Sequence, residues 1–79
     1  MDGLHKQWYE SGQLKIKVNF KGGLYDGLQK GWYENGGLQY EWNYIMDKKS
    51  GLHKEWYENG QLKSEETYDN GILIEYKYY

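Results

Sequence analysis

The sequence predicts an all-β protein, an antiparallel meander of successive β-hairpins. Three observations carry that expectation. One unit recurs every 24 residues, an Asn-Gly or Ser-Gly pair sits at the same place in every unit, and the apolar residues favour alternate positions. A period of about 20 to 50 residues marks an array in which each unit buries surface only against its neighbours. The single domain 1–79 therefore divides into repeats at about 2–25, 26–49 and 50–73, with a last strand over 72–79.

Each unit opens with one regular half: LHKQWYESGQLK at 4–15, LQKGWYENGGLQ at 28–39 and LHKEWYENGQLK at 52–63. Asn35-Gly36, Asn59-Gly60 and Ser11-Gly12 separate short runs rich in aromatic and β-branched residues. Asn-Gly is a strong hairpin signal because both residues tolerate positive φ. The less regular halves follow: IKVNFKGGLYDG, YEWNYIMDKKSG and SEETYDNGILIE. Phe20, Tyr44 and Tyr68 keep them in register, and a second turn is expected at Lys21-Gly22-Gly23 and Asp69-Asn70-Gly71. Six or seven strands result. Helix has little support, because no 3.6-residue periodicity persists and glycine recurs too often.

Of the 30 apolar and aromatic residues, 22 lie at even positions. Side chains alternate faces along a strand, and a two-residue loop pairs even with odd positions, so a shared parity requires odd-length loops. Glu34-Asn35-Gly36 fits a type I turn closed by a glycine bulge. Trp32 is then expected to pair with Leu38, and Leu28 with Trp42. One apolar face follows, comprising Trp8, Ile16, Val18, Phe20, Leu28, Trp32, Leu38, Tyr40, Trp42, Tyr44, Trp56 and Tyr68. Tyr9, Tyr33 and Tyr57 form a second aromatic stripe on the opposite face, with His5, Gln7, Gln29, His53 and Glu55. Half-exposed tyrosine suits a strand whatever its function.

The WYENGQLK run, recurring after Gly-Leu and before an aromatic and a glycine turn, resembles the MORN repeat, specifically its bacterial variant. The resemblance covers nearly the whole chain. It implies a single-layer, twisted antiparallel sheet. Similar proteins often carry the label of antitoxin component of a toxin–antitoxin system, or are named after phosphatidylinositol phosphate kinases, some of which contain such repeats. This chain departs from the pattern at Ser11 for Asn, Gly37 for Gln, and Ser50 for the Asp that Asp2 and Asp26 supply. The third unit also turns polar at Ser64 and Glu66, as a capping repeat should.

A face of six strands would present roughly 700 Å² at ~4.8 Å strand spacing. Soluble monomers rarely leave so large an apolar patch open. The expected function is therefore a non-catalytic interaction or scaffolding module whose apolar face meets a protein partner or a second copy. An antitoxin binding its toxin is a special case that rests on the resemblance. Binding of a lipid headgroup, cell-wall glycan or choline by aromatic stripes is the alternative.

Other classes fit poorly. All ten basic residues are lysine against twelve acids, which is unsuited to gripping nucleic acid, and anionic lipid wants a basic cluster where the closest approach is Lys48-Lys49. Cysteine is absent. No nucleophile and base are placed together, and no phosphate-cradling loop precedes a lysine. His5 and His53 fall two repeats apart, roughly 19 Å at ~4.8 Å per strand, too far to share one metal within a chain. No cofactor is expected. With no run apolar enough to span a bilayer and no leader-like N-terminus, the chain is expected to be soluble, with the cytoplasm favoured.

Overall fold

A computed structural model describes residues 2–79. The first strand of each repeat, β1 (Gly3–Trp8), β4 (Gly27–Trp32) and β7 (Gly51–Trp56), is followed by a long strand, β2 (Leu14–Lys21), β5 (Leu38–Ile45) and β8 (Leu62–Asp69). Two-residue strands β3 (Leu24–Tyr25) and β6 (Lys48–Lys49) fold back on β2 and β5, and β9 (Ile72–Tyr78) follows β8. The seven long strands lie in the order β1-β2-β4-β5-β7-β8-β9, every pair antiparallel.

The sheet measures 37 × 36 × 9 Å. Nine ångströms is less than the ~10 Å that separates two packed sheets, so this is one layer. Its radius of gyration, 13.2 Å, exceeds the roughly 11.6 Å of a compact chain of this length. Consistent with that, no hydrophobic residue among those described is fully buried.

Within each repeat the hairpin forms as the Glu-Asn-Gly reading expects. Tyr33 N donates to Gly37 O at 2.8 Å, Gly36 N donates to Tyr33 O at 2.9 Å, and Gly36 takes φ 90°. That is a type I turn with a glycine bulge, and Trp32 does face Leu38. One step later a second bulge intervenes. Gly31 pairs with Tyr40, so Gln39 is an extra residue on β5, and Lys15 and Lys63 are the extra residues in the other repeats. Parity therefore flips beyond the bulge. Leu28 pairs with Asn43, not with Trp42, and Trp42 pairs with Gln29.

The expected single even face is thus corrected to two faces. Following paired residues from strand to strand, one side, here called the aromatic face, holds even residues of the second strands and odd residues of the first: Ile16, Val18, Phe20, Tyr40, Trp42, Tyr44 and Tyr68 with His5, Gln7, Gln29, His53 and Glu55. The other, the charged face, holds Trp8, Leu28, Trp32, Leu38 and Trp56. Across it runs one row, Lys6-Lys17-Lys30-Glu41-Lys54-Glu65-Lys77, each residue opposite the next. Lys30–Glu41 (3.3 Å) and Lys54–Glu65 (3.7 Å) are its half-exposed ion pairs.

Repeats join through two-residue turns with both central φ positive: Gly22-Gly23, Met46-Asp47 and Asn70-Gly71. This is the type I′ geometry that matches strand twist. Met46 is a costly occupant of such a position. Three bonds hold it: Met46 N to Asp26 Oδ1 (3.1 Å), Asp47 N to Tyr25 O (2.7 Å) and Tyr25 N to Asp47 Oδ1 (3.0 Å). Asp2 serves Gly22 N in the same way.

Candidate functional site

After the first two type I′ turns the chain bends, at Asp26-Gly27 and Ser50-Gly51, where both glycines have positive φ. The bend lifts the new first strand away from the previous long strand, and β2 and β4 pair only at Ile16–Gly31 and Lys17–Lys30. The gap exposes the Asn19 backbone. Gln29 fills it: its Oε1 accepts from Asn19 N at 2.6 Å, and its Nε2 donates to Asn19 O and Gly27 O, both at 3.1 Å. A side-chain amide thereby substitutes for a peptide group. Gln29 is only 3% exposed, an acceptable burial because its amide is satisfied.

His53 occupies the same place one repeat on, also 3% exposed, with Nε2 2.7 Å from Asn43 O. That distance to a carbonyl requires the Nε2–H tautomer. Burial pushes the His53 pKa below 6.5, outweighing the opposing effect of the Asn43 bond, and Lys49 adds to the depression. Asn19 and Asn43 complete each joint by donating Nδ2 to Leu28 O (2.6 Å) and Leu52 O (2.8 Å).

These joints set the floor of a continuous aromatic belt. His5 meets Phe20 edge-on at 5.3 Å, Phe20 stacks on Tyr25 at 5.1 Å, and Tyr25 reaches Tyr44 at 5.4 Å. Tyr44 then contacts His53 at 5.6 Å, and His53 contacts Tyr68 at 4.9 Å. Tyr40 and Trp42 stack at 4.1 Å beside this line. A shallow hollow of about 70 Å³ lies between Val18, Tyr25, Gln29, Tyr40, Trp42 and Tyr44. Tyr40 can lie flat there because Gly31 has no side chain: a Cβ at Gly31 would fall 2.2 Å from the ring. Burial raises the Tyr40 pKa above 10, so the phenol stays neutral.

The belt ends in the third repeat. Ser64 and Glu66 replace the apolar pairs Ile16 and Val18, Tyr40 and Trp42. Glu66 accepts from Tyr68 Oη (3.1 Å) and Tyr78 Oη (2.7 Å), and the latter bond pushes the Tyr78 phenol up to about 12. The aromatic face is therefore apolar across two repeats and polar at one end.

The structure divides the expected site residues. Ile16, Val18, Phe20, Tyr40, Trp42, Tyr44 and Tyr68 come together; Trp8, Leu28, Trp32, Leu38 and Trp56 lie behind the sheet. Tyr25 and Gln29 were not part of the expected face yet line the hollow. For Gln29 the signal was positional: polar residues at 5, 29 and 53 share the 24-residue period with Asn19 and Asn43. Tyr9, Tyr33 and Tyr57 prove to be inter-repeat clasps, their hydroxyls donating to Trp32 O (2.8 Å), Trp56 O (2.8 Å) and Tyr79 O (3.2 Å). Their polar tips are thus occupied, which leaves little of a binding stripe.

Among the described residues no three His, Asp or Glu side chains gather as metal ligands would, and no helix is long and apolar enough to cross a membrane. A family model described as MORN repeat variant matches three successive segments, residues 1–21, 25–46 and 49–70. No curated protein and no solved structure matches the chain.

Proposed function

The chain belongs to the MORN repeat variant family, whose repeats are interaction modules, and from that premise we propose that it binds a protein partner through its aromatic face. What supports the reading is the unbroken belt from His5 to Tyr68 on a one-layer sheet, with no second layer against it among the described residues. Rings presented with their hydroxyl and imidazole edges are suited to a protein contact, where tyrosine and tryptophan concentrate binding energy. The reading is one of binding, with no catalytic step assigned to either face. An antitoxin role would be one instance of this reading, with a toxin as the partner.

The two faces provide the test. Trp42→Ala removes a ring from the belt, whereas Trp8→Ala removes one from the charged face, where Trp8 is already 59% exposed. In a pull-down from the native host, the partner captured by the wild type is expected to be lost with Trp42→Ala and retained with Trp8→Ala. Equal capture by both variants would overturn the reading. Recovery on lipid vesicles or cell-wall glycan, lost with Trp42→Ala, would replace it with the ligand-binding alternative.

A further inference from the structure

β9 stands apart from the other long strands in that all seven of its residues are exposed, among them Ile72, Ile74, Tyr76 and Tyr78. Its far edge meets no other strand among the described residues. A long apolar edge with unpaired backbone groups is a template for another strand. The question is which strand fits.

Backbone direction restricts the answer. Tyr79 N donates to Lys63 O at 2.9 Å, so Tyr79, Lys77 and Glu75 turn their amides and carbonyls toward β8. By alternation, Tyr76 and Tyr78 turn theirs outward. An antiparallel ladder between two copies of β9 must pair outward residues with outward residues. Tyr76 against Tyr78 would set two Lys77 side chains face to face, and Ile74 against Tyr76 would set two Glu75 side chains face to face. Tyr78 against itself sets Lys77 opposite Tyr79 and forms no ion pair, and registers nearer the turn run into the bulge at Ile74. Tyr76 against itself is different. It places Glu75 of each copy opposite Lys77 of the other, twice, flanked by Ile74 against Tyr78.

We propose that two copies of the chain associate edge to edge through β9, antiparallel about a two-fold axis at Tyr76. The Glu75–Lys77 pairs lie on the charged face and continue its alternation, Glu41-Lys54-Glu65-Lys77 and then Glu75 of the second copy. A two-fold axis perpendicular to the sheet keeps both aromatic faces on the same side, leaving them open. This contact is independent of the partner proposed for the aromatic face.

Sedimentation of the 79-residue chain from low to high micromolar concentration tests it. The wild type is expected to pass from 9.5 kDa to twice that mass. Glu75→Lys, which leaves the Glu65–Lys77 contact untouched, and Lys77→Glu should each weaken the dimer about tenfold or more, since attractive pairs become repulsive. Mixing the two variants should restore it, because positions 75 and 77 are then both basic in one chain and both acidic in the other; circular dichroism checks that each is folded. Trp42→Ala should leave the dimer unchanged, which separates this contact from the aromatic face. A wild type that stays at 9.5 kDa, a dimer indifferent to Glu75→Lys, or a mixture of folded variants no tighter than either alone would overturn the proposal.

Discussion

The first two repeats and the third follow one backbone plan but differ in how each meets the strand that follows it. After β2 and β5 the chain turns, bends at a positive-φ glycine and leaves a gap, plugged by Gln29 or His53. After β8 no such bend occurs. β9 runs on through a single bulge, with Thr67 paired to Glu75 and Ser64 to Tyr78, so backbone bonds replace the plug. The apolar rows Ile16-Val18 and Tyr40-Trp42 likewise give way to Ser64-Glu66. The open joints carry the aromatic belt, and the closed one ends it. A single side-chain amide or imidazole per joint thus satisfies the backbone that the splayed sheet leaves unpaired.

The largest loss of stability is expected at Gly31. Its counterparts are Gln7 and Glu55, whose hairpin partners are Ile16 and Ser64 where Gly31 has Tyr40; Glu55 meets Tyr40 as well, but from the next hairpin. Gly31→Ala should cost about 1–3 kcal/mol by displacing the Tyr40 ring, which a thermal melt would register as a fall of roughly 4–8 °C per kcal/mol in a domain this small. Combining it with Tyr40→Ser, the third repeat's choice, should recover much of the loss. Two penalties that simply added would show that ring and glycine do not depend on one another.

The tyrosine clasps come next. Tyr33→Phe removes a part-buried bond from the middle of the array and should cost about 1 kcal/mol, whereas Tyr57→Phe, exposed and longer, should cost less. Denaturant unfolding of the pair measures the difference directly.

His53 sharpens the contrast between the two plugs through pH. Its folded pKa is depressed below the 6.5 it has when unfolded. Below 6.5 the unfolded chain therefore binds a proton that the folded chain resists, and stability falls as pH drops from 6.5 toward the folded value. His53→Gln, copying Gln29, should flatten stability over that window. An unchanged slope would assign the pH dependence elsewhere. The smallest effect is expected at Ser50. Asp2 and Asp26 each accept from the amide that opens their repeat's type I′ turn, so Ser50→Asp should add a few tenths of a kcal/mol at Asn70, at the low end of a net hydrogen bond because the turn is exposed.

Much of this architecture was legible in the sequence. The Glu-Asn-Gly loops, the Gly22-Gly23 and Asn70-Gly71 turns and the long strands follow from local chemistry, because glycine and asparagine announce positive φ. The turn at Met46-Asp47 was not legible. Met46 does not favour that conformation, which is imposed by the Ile45–Lys48 pairing and by the distant Asp26. The second bulge was hidden for a related reason. Lys15, Gln39 and Lys63 are polar and read as ordinary outward residues, and the strands on both sides of the bulge keep their own alternation. Even numbering then made one face out of two. Only the cross-strand register, which is non-local, separates Leu28 from Trp42.

That separation decides which rings can meet a partner together. Nuclear Overhauser contacts of the Trp42 indole test it most directly. With two faces, contacts are expected from Trp42 to Tyr40, Gln29 and His53, and none to Leu28. Contacts between Trp42 and Leu28 would instead restore a single even face and contradict the division of the sheet described above.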